Sequence, residues 1–258
     1  MVGNGSGPAA VALDRLPSWV TLVRAPNPGP MTLDGTNSWI LQAPGGQRVL
    51  VDPGPDDDGH LAALAGYAPG LVLLTHGHPD HVDGLPGLQE RLGGVEVWAA
   101  GEGRRELDGL VIDLIATPGH TGDSVCFSAE VAGQRVIFTG DTILGRGSTV
   151  VAYPDGDLGD YLDSLRWLAG VGRVAVLPGH GPALADCGAA ARSYLEHRQV
   201  RLDQVRAALA AGATGAREVV EIVYAAVDPV LWPAAEWSVR AQLAYLESSP
   251  PNVCWDTL

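Results

Sequence analysis

Residues 73–84 read LLTHGHPDHVDG, an apolar run that stops abruptly in four chemistry-bearing side chains, His76, His78, Asp80 and His81. If the end of the run stays extended, His76 and His78 project from one face, because side chains of a strand alternate with period two. Pro79 ends that geometry, so Asp80 and His81 point elsewhere at short range, and one loop can serve two adjacent metal ions. Imidazole nitrogen and carboxylate oxygen suit zinc, and a catalytic zinc has roughly three protein ligands with one position left for water. One loop cannot fill two such shells, so further donors are expected at other strand ends.

Three residues meet that expectation. His120 follows LVIDLIAT (110–117), Asp141 follows RVIFTG (135–140) and His180 follows RVAVLPG (173–179). Each lies near glycine, where the backbone can turn sharply toward a common centre. A lone loop histidine is ordinarily solvated or hydrogen-bonded, and His60 and His197 are read that way. Five of the seven histidines and two aspartates gathered at strand ends point instead to a metal centre. Asp80 and Asp141 are the candidate catalytic residues, placed to orient the attacking water and accept its proton.

Working outward, WVTLV (19–23), SWILQA (38–43), RVLVD (48–52), VEVWA (95–99) and SVCFSAEV (124–131) are short, rich in Val, Ile or aromatics, and predict more strands. DDGHLAALAGY (57–67) and LGDYLDSLRWLAGVG (158–172) carry apolar residues at helical spacing, with acids early and glycine late, and predict helices. Strands with interspersed helices make a layered α/β domain. After residue 182 the pattern becomes helical: one long helix over 189–212, a second over 214–227 capped by Thr214, and a third over 232–248 with Pro233 at its first position. The expected organisation is a flexible tail over 1–16, a catalytic domain over 17–182 and a small helical domain over 183–258.

The chain has 258 residues, 46% of them apolar, enough for a real core. Its apolar runs are short and broken, so no membrane span is expected, and the first residues lack a secretory pattern, which places the chain in the cytoplasm. Cys126, Cys187 and Cys254 are widely spaced and read as free thiols rather than a disulfide framework. All 16 basic residues are Arg, against 30 acids, for a formal charge of −14. So acidic a chain repels nucleic acid at long range, and DNA is excluded as a partner. No sequence signal bears on oligomeric state.

The series HGHPDH (76–81), His120, Asp141 in FTGDT (138–142) and His180 in LPGHG (177–181) resembles the five-part signature of the metallo-β-lactamase-fold hydrolases. That resemblance implies a four-layer αββα sandwich. It also implies two zinc ions, with manganese or iron as alternatives: His76, His78 and His120 on one, Asp80, His81 and His180 on the other, and Asp141 bridging both. Class B1 β-lactamases have Cys where Asp141 stands, and flavodiiron proteins have Glu where His78 stands, so neither activity is expected. Only 38 residues separate Asp141 from His180, too few for the inserted domain of the β-CASP nucleases.

APNPGPMTLDGTNSWIL (25–41), VDPGP (51–55), FTGDTILGRGSTVV (138–151), YLDSL (161–165), LPGHGP (177–182) and YLEHRQVR (194–201) are similar to the lactamase-beta-2 branch, whose C-terminal domain is winged-helix-like. That branch includes an endoribonuclease acting on single-stranded RNA, and related fungal enzymes are thioesterases. The expected function is di-zinc hydrolysis by metal-activated hydroxide of an ester, thioester or related small acyl substrate; the alternative is a phosphodiesterase or endoribonuclease acting on single-stranded RNA. Residues 190–258 hold six Arg and eight acids, net −2, against the basic balance expected of a nucleic-acid reader. Asn37, Arg146 and Arg198 are candidate substrate contacts. Convergence of Arg104, Arg105, Arg146, Arg198 and Arg201 near the metals would favour the nuclease.

Overall fold

A computed structural model describes residues 9–99 and 103–248. The first sheet holds β1 (Val20–Arg24), β2 (Asn37–Gln42), β3 (Arg48–Val51), β4 (Leu71–Leu73) and β5 (Glu96–Trp98) in that order, antiparallel up to β3 and parallel beyond it. The second holds β6 (Gly103–Leu107), β7 (Leu110–Ala116), β8 (Val125–Val131), β9 (Gln134–Gly140) and β10 (Ala175–Pro178), with only the β9–β10 pair parallel. The helices are α1 (Asp58–Ala65), α2 (Pro79–Val82), α3 (Leu85–Leu92), α4 (Leu158–Val171), α5 (Cys187–Ala210), α6 (Ala216–Val223) and α7 (Trp232–Ser248).

Alternation along the strands builds the layers. On the second sheet Leu110, Ile112, Leu114, Phe127, Phe138 and Leu177 point inward to meet Trp39, Leu41, Val49 and Leu73 of the first, forming the inter-sheet core. Their neighbours Cys126, Ile137 and Val176 point the other way, onto Tyr161, Leu165 and Leu168 of α4 and Cys187, Ala190 and Ala191 of α5. The outer face of the first sheet, Ile40, Leu50 and Val72, is covered by Leu61 and Leu64 of α1 and Leu88 of α3. The result is the αββα sandwich.

Three expectations need correction. Residues 9–16, read as part of a flexible tail, are bound: the Val11 amide donates to Ala183 O (2.8 Å) and the Ala185 amide to Ala9 O (3.1 Å). The domain boundary after residue 182 is displaced, because Leu184 pairs with Val176 and the first turns of α5 complete the outer layer over β9 and β10. A separate C-terminal core begins with Val205 and Ala208 of α5, closed by Val219 and Val220 of α6 and Ala235 and Val239 of α7. Thr214 does not cap α6. Gly215 holds the cap position, and Thr214 instead donates through its amide and hydroxyl to Glu218. Residues 1–8 of the tail and Cys254 lie outside the described residues.

Candidate metal centre

The site lies where the strand ends of the two sheets meet. The Gly179 amide donates to Gly140 O (2.9 Å), setting Asp141 beside His180, and the Asn37 amide donates to Gly179 O (2.8 Å) across from the first sheet. The Val125 amide donates to Thr75 O (2.8 Å), tying the start of the histidine loop to β8. After β4 the chain bends at Thr75, and His78, extended at φ −68° and ψ 143°, is the N-cap of α2; Pro79 opens the helix and carries Asp80 and His81 onto its first turn.

All seven sequence-predicted donors come together in three overlapping groups whose ligand atoms lie within 4.8 Å of one another: His76, His78 and His120; His76, His81 and Asp141; Asp80, His81 and His180. In the first, His78 Nδ1 is 3.0 Å from His76 Nε2 and 3.1 Å from His120 Nε2. In the last, His180 Nε2 is 3.2 Å from His81 Nε2 and 3.1 Å from Asp80 Oδ2. Asp141 stands between them, with Oδ1 3.5 Å from both His81 Nε2 and His180 Nε2 and Oδ2 3.7 Å from His120 Nε2.

Burial alone would raise the Asp141 carboxyl, but His180 and His81 hold it well below the usual range. Burial likewise opposes the Asp80 anion, which the His180 hydrogen bond and His81 keep lowered. Burial depresses His76 and His120, whereas in His81 the attraction of Asp141 and Asp52 overcomes burial and raises it.

These residues fit a pair of divalent cations. Asp141 Oδ1 is buried and has no hydrogen-bond partner among the described residues, and an orphaned carboxylate oxygen amid ring nitrogens is costly unless something positive sits there. His120 Nδ1 lies 2.6 Å from Val150 O and donates to it. The neutral ring therefore turns a lone pair at Nε2 toward His76 and His78.

Asp52, not among the sequence-based candidates, orients this centre. It follows β3 in the left-handed region (φ 54°) and is 1% exposed. Its Oδ1 accepts from the Thr75 amide (2.8 Å), and its Oδ2 accepts from Thr75 Oγ1 (2.7 Å) and His81 Nδ1 (2.8 Å). That arrangement fixes the His81 proton on Nδ1 and leaves Nε2 for the metal. In sequence the only signal was an Asp at a strand end in VDPGP, a pattern any turn shares.

The substrate candidates divide. Asn37 is 1% exposed and its side-chain amide donates to Pro178 O (3.0 Å) and Gly181 O (2.8 Å), so it braces the His180 loop instead of facing substrate. Arg146 and Arg198 do line a cleft of about 310 Å³ that reaches His120 and Asp141 and is otherwise walled by residues such as Met31, Leu33, Val227 and Leu231. Arg201 joins them there, but Arg104 and Arg105 do not: on β6 they pair with Asp113 and with Glu96. His197 also lines the cleft, while His60, read as a bystander, is buried and bonded to Ser38 Oγ (3.0 Å).

Comparisons with known proteins show the family and the fold. A family model described as "Metallo-beta-lactamase superfamily" matches residues 31–113 and 96–180, and one described as "Beta-lactamase associated winged helix domain" matches 216–249. The chain is 31% identical over 253 residues to a "Beta-lactamase-like protein 2 homolog" of Caenorhabditis elegans, covering 88% of this chain and 81% of that protein. It is 34% identical over 217 residues to an "Atrochrysone carboxyl ACP thioesterase" of Aspergillus fumigatus, covering 76% and 67%. The crystal structure of a beta-lactamase domain protein from Burkholderia ambifaria shares the fold, with a TM-score of 0.76 at 21% identity over 95% of this chain and 92% of that one.

Proposed function

Because this chain belongs to the metallo-beta-lactamase superfamily, we propose that it is a binuclear metallohydrolase of small acyl substrates, with thioesters foremost. Zinc is the proposed metal, manganese and iron the alternatives, with His76, His78 and His120 around one ion, Asp80, His81 and His180 around the other, and Asp141 between them. Such a pair, when bound, supplies Lewis acidity toward the substrate carbonyl and lowers the pKa of the attacking water. The observation that carries the acyl reading is the cleft, small and largely apolar, opening onto His120 and Asp141 in a chain of charge −14. A cleft of that kind suits an acyl body better than a polyanion.

The protein's own groups would then act as follows. The apolar wall holds the acyl chain and excludes water from its flank. Asp80, whose side chain is 29% exposed against 12% for Asp141, accepts the proton of the attacking water as its oxygen adds to the carbonyl carbon. The carbon–sulfur bond breaks, and the departing sulfur takes that proton from Asp80. Asp52 and Val150 O keep the His81 and His120 rings turned inward throughout.

Support for this substrate class includes the fungal relative whose name specifies a thioesterase. The buried free thiols Cys126 and Cys187 suit a reducing compartment, and we place the chain in the cytoplasm; no helix among the described residues is long and apolar enough to cross a membrane. The test is a panel on purified protein: N-acetylcysteamine thioesters, a phosphodiester reporter and a single-stranded RNA. Thioester turnover abolished by chelation is expected. RNA cleavage with no thioester turnover would replace this reading by the nuclease one.

A further inference from the structure

α5 runs past the cleft and turns His197, Arg198 and Arg201 toward it. Arg198 is 2% exposed. One of its amino groups donates to Thr149 O, its guanidinium lies 4.9 Å from the centre of the Tyr161 ring, and its Nε has no hydrogen-bond partner among the described residues. Arg201 donates to Gln204 Oε1 (2.9 Å) and Val223 O (3.1 Å) and lies 4.6 Å from the centre of the Tyr224 ring. All of these partners are neutral.

A buried guanidinium without an anion is expensive, and a chain with 30 acids had carboxylates to set against it. Arg146, at the exposed rim of the same cleft, is by contrast held by both oxygens of Asp34, at 2.5 and 2.8 Å. Among the described residues the one carboxylate on the lining, Asp141, faces the histidines. His197 adds no third cation, since burial and then Arg198 and Arg201 push its pKa down to about 4. The cleft is therefore lined by metal donors, by apolar side chains and by two arginines that meet no carboxylate among the described residues.

We infer that the cleft selects acyl substrates bearing a second, remote carboxylate, bound by Arg201 with the buried charge of Arg198 adding to the attraction, while the carbon chain lies along Met31, Leu33, Val227 and Leu231. The bond cleaved rests on the thioester reading above; the anion preference rests on the arginines alone. Guanidinium pairs carboxylate with two parallel hydrogen bonds, which a neutral chain end cannot return.

The test compares N-acetylcysteamine thioesters of octanoic acid with the half-thioester of octanedioic acid, on the metal-loaded full chain. The diacid half-thioester should have the lower KM, and Arg201→Gln should raise the ratio of its KM to that of the octanoyl thioester by about tenfold, the worth of one charge-assisted hydrogen bond. Arg201→Lys should restore part of the loss. Calorimetric binding of octanedioic acid monoamide, with octanamide as the neutral control, needs no turnover and separates the two readings. If neither thioester is hydrolysed but the monoamide binds the wild type and weakens in Arg201→Gln, the anion site stands without the thioesterase. Equal KM values for both thioesters in the wild type, or monoamide binding unchanged in Arg201→Gln, would overturn the inference.

Discussion

Asp52→Asn is the most informative single change at the centre, because it alters one proton position and little else. Asp52 sits at φ 54°, a region where Asn is among the best tolerated non-glycine residues, so the backbone should hold. With its remaining carbonyl oxygen on the Thr75 amide, the new NH2 group faces Thr75 Oγ1 and His81 Nδ1, which donate to the carboxylate at 2.7 and 2.8 Å. The hydroxyl can rotate and accept. His81 can accept only by moving its proton to Nε2, the atom 3.2 Å from His180 Nε2 and 3.5 Å from Asp141 Oδ1, and a protonated nitrogen holds no metal. Loss of such an outer partner typically weakens metal affinity about 10- to 100-fold, or roughly 1.4 to 2.7 kcal/mol. Competition titration against a chelator should show one of two sites weakened by that factor, and nitrogen-15 NMR should show the His81 proton moved. Wild-type affinity at both sites, with the proton still on Nδ1, would refute the argument.

Elemental analysis of protein purified without chelator should find close to two metal ions per chain, and Asp141→Ala should lower the occupancy of both sites and remove activity while circular dichroism is retained. Gly179→Ala keeps every donor, yet its Cβ would meet His81 Cε1 at 2.6 Å and Asp141 Oδ1 at 2.7 Å; metal content should fall, and full loading would show that the site yields more than packing suggests. His197 is held neutral in the fold with a pKa of about 4 against 6.5 for an ordinary histidine, so the unfolded chain takes up its proton first, and the stability it contributes above pH 6.5 is lost as pH falls toward 4. The fall in Tm over that interval should be shallower in His197→Gln, and identical slopes would contradict the shift. A chain ending at residue 182 should be insoluble because it strips Cys187, Ala190 and Ala191 from the core, whereas one ending at residue 212 should fold and bind a hydrophobic dye through exposed Val205 and Ala208.

The strands with inward-facing apolar residues were legible from sequence because burial on one face writes a period of two. β6, GRREL, leaves no such signal: it lies at a sheet edge and buries none of its residues, and an exposed strand has no periodic pattern to leave. α3 leaves no helical signature in the sequence because Pro86 and Gly87 stand in its first turn and only Leu88 is fully buried. At the centre, donors at strand ends were visible as chemistry out of place in loops. Asp52 and Asn37 do comparable positioning work but look like turn residues, since what distinguishes them is the identity of partners 23 and 141 residues away. His60 carries no sequence mark of its place, and only its burial against Ser38 tells that it belongs to the packing.

α5 is at once the last helix of the sandwich and the first of the C-terminal core, and over its 24 residues the Tyr194 hydroxyl accepts from the Leu144 amide while Arg198 donates to Thr149 O. Such a helix works as a ruler with a fixed phase. Deleting one residue between Cys187 and Tyr194 would turn everything after it by about 100° and draw it back by about 1.5 Å, swinging the arginines off the cleft while every metal donor stayed in place. Length changes along this stretch are therefore forbidden in a way that substitutions are not, and divergence among chains built on this plan should accumulate as changes of side chain before residue 210 and as insertions only after it.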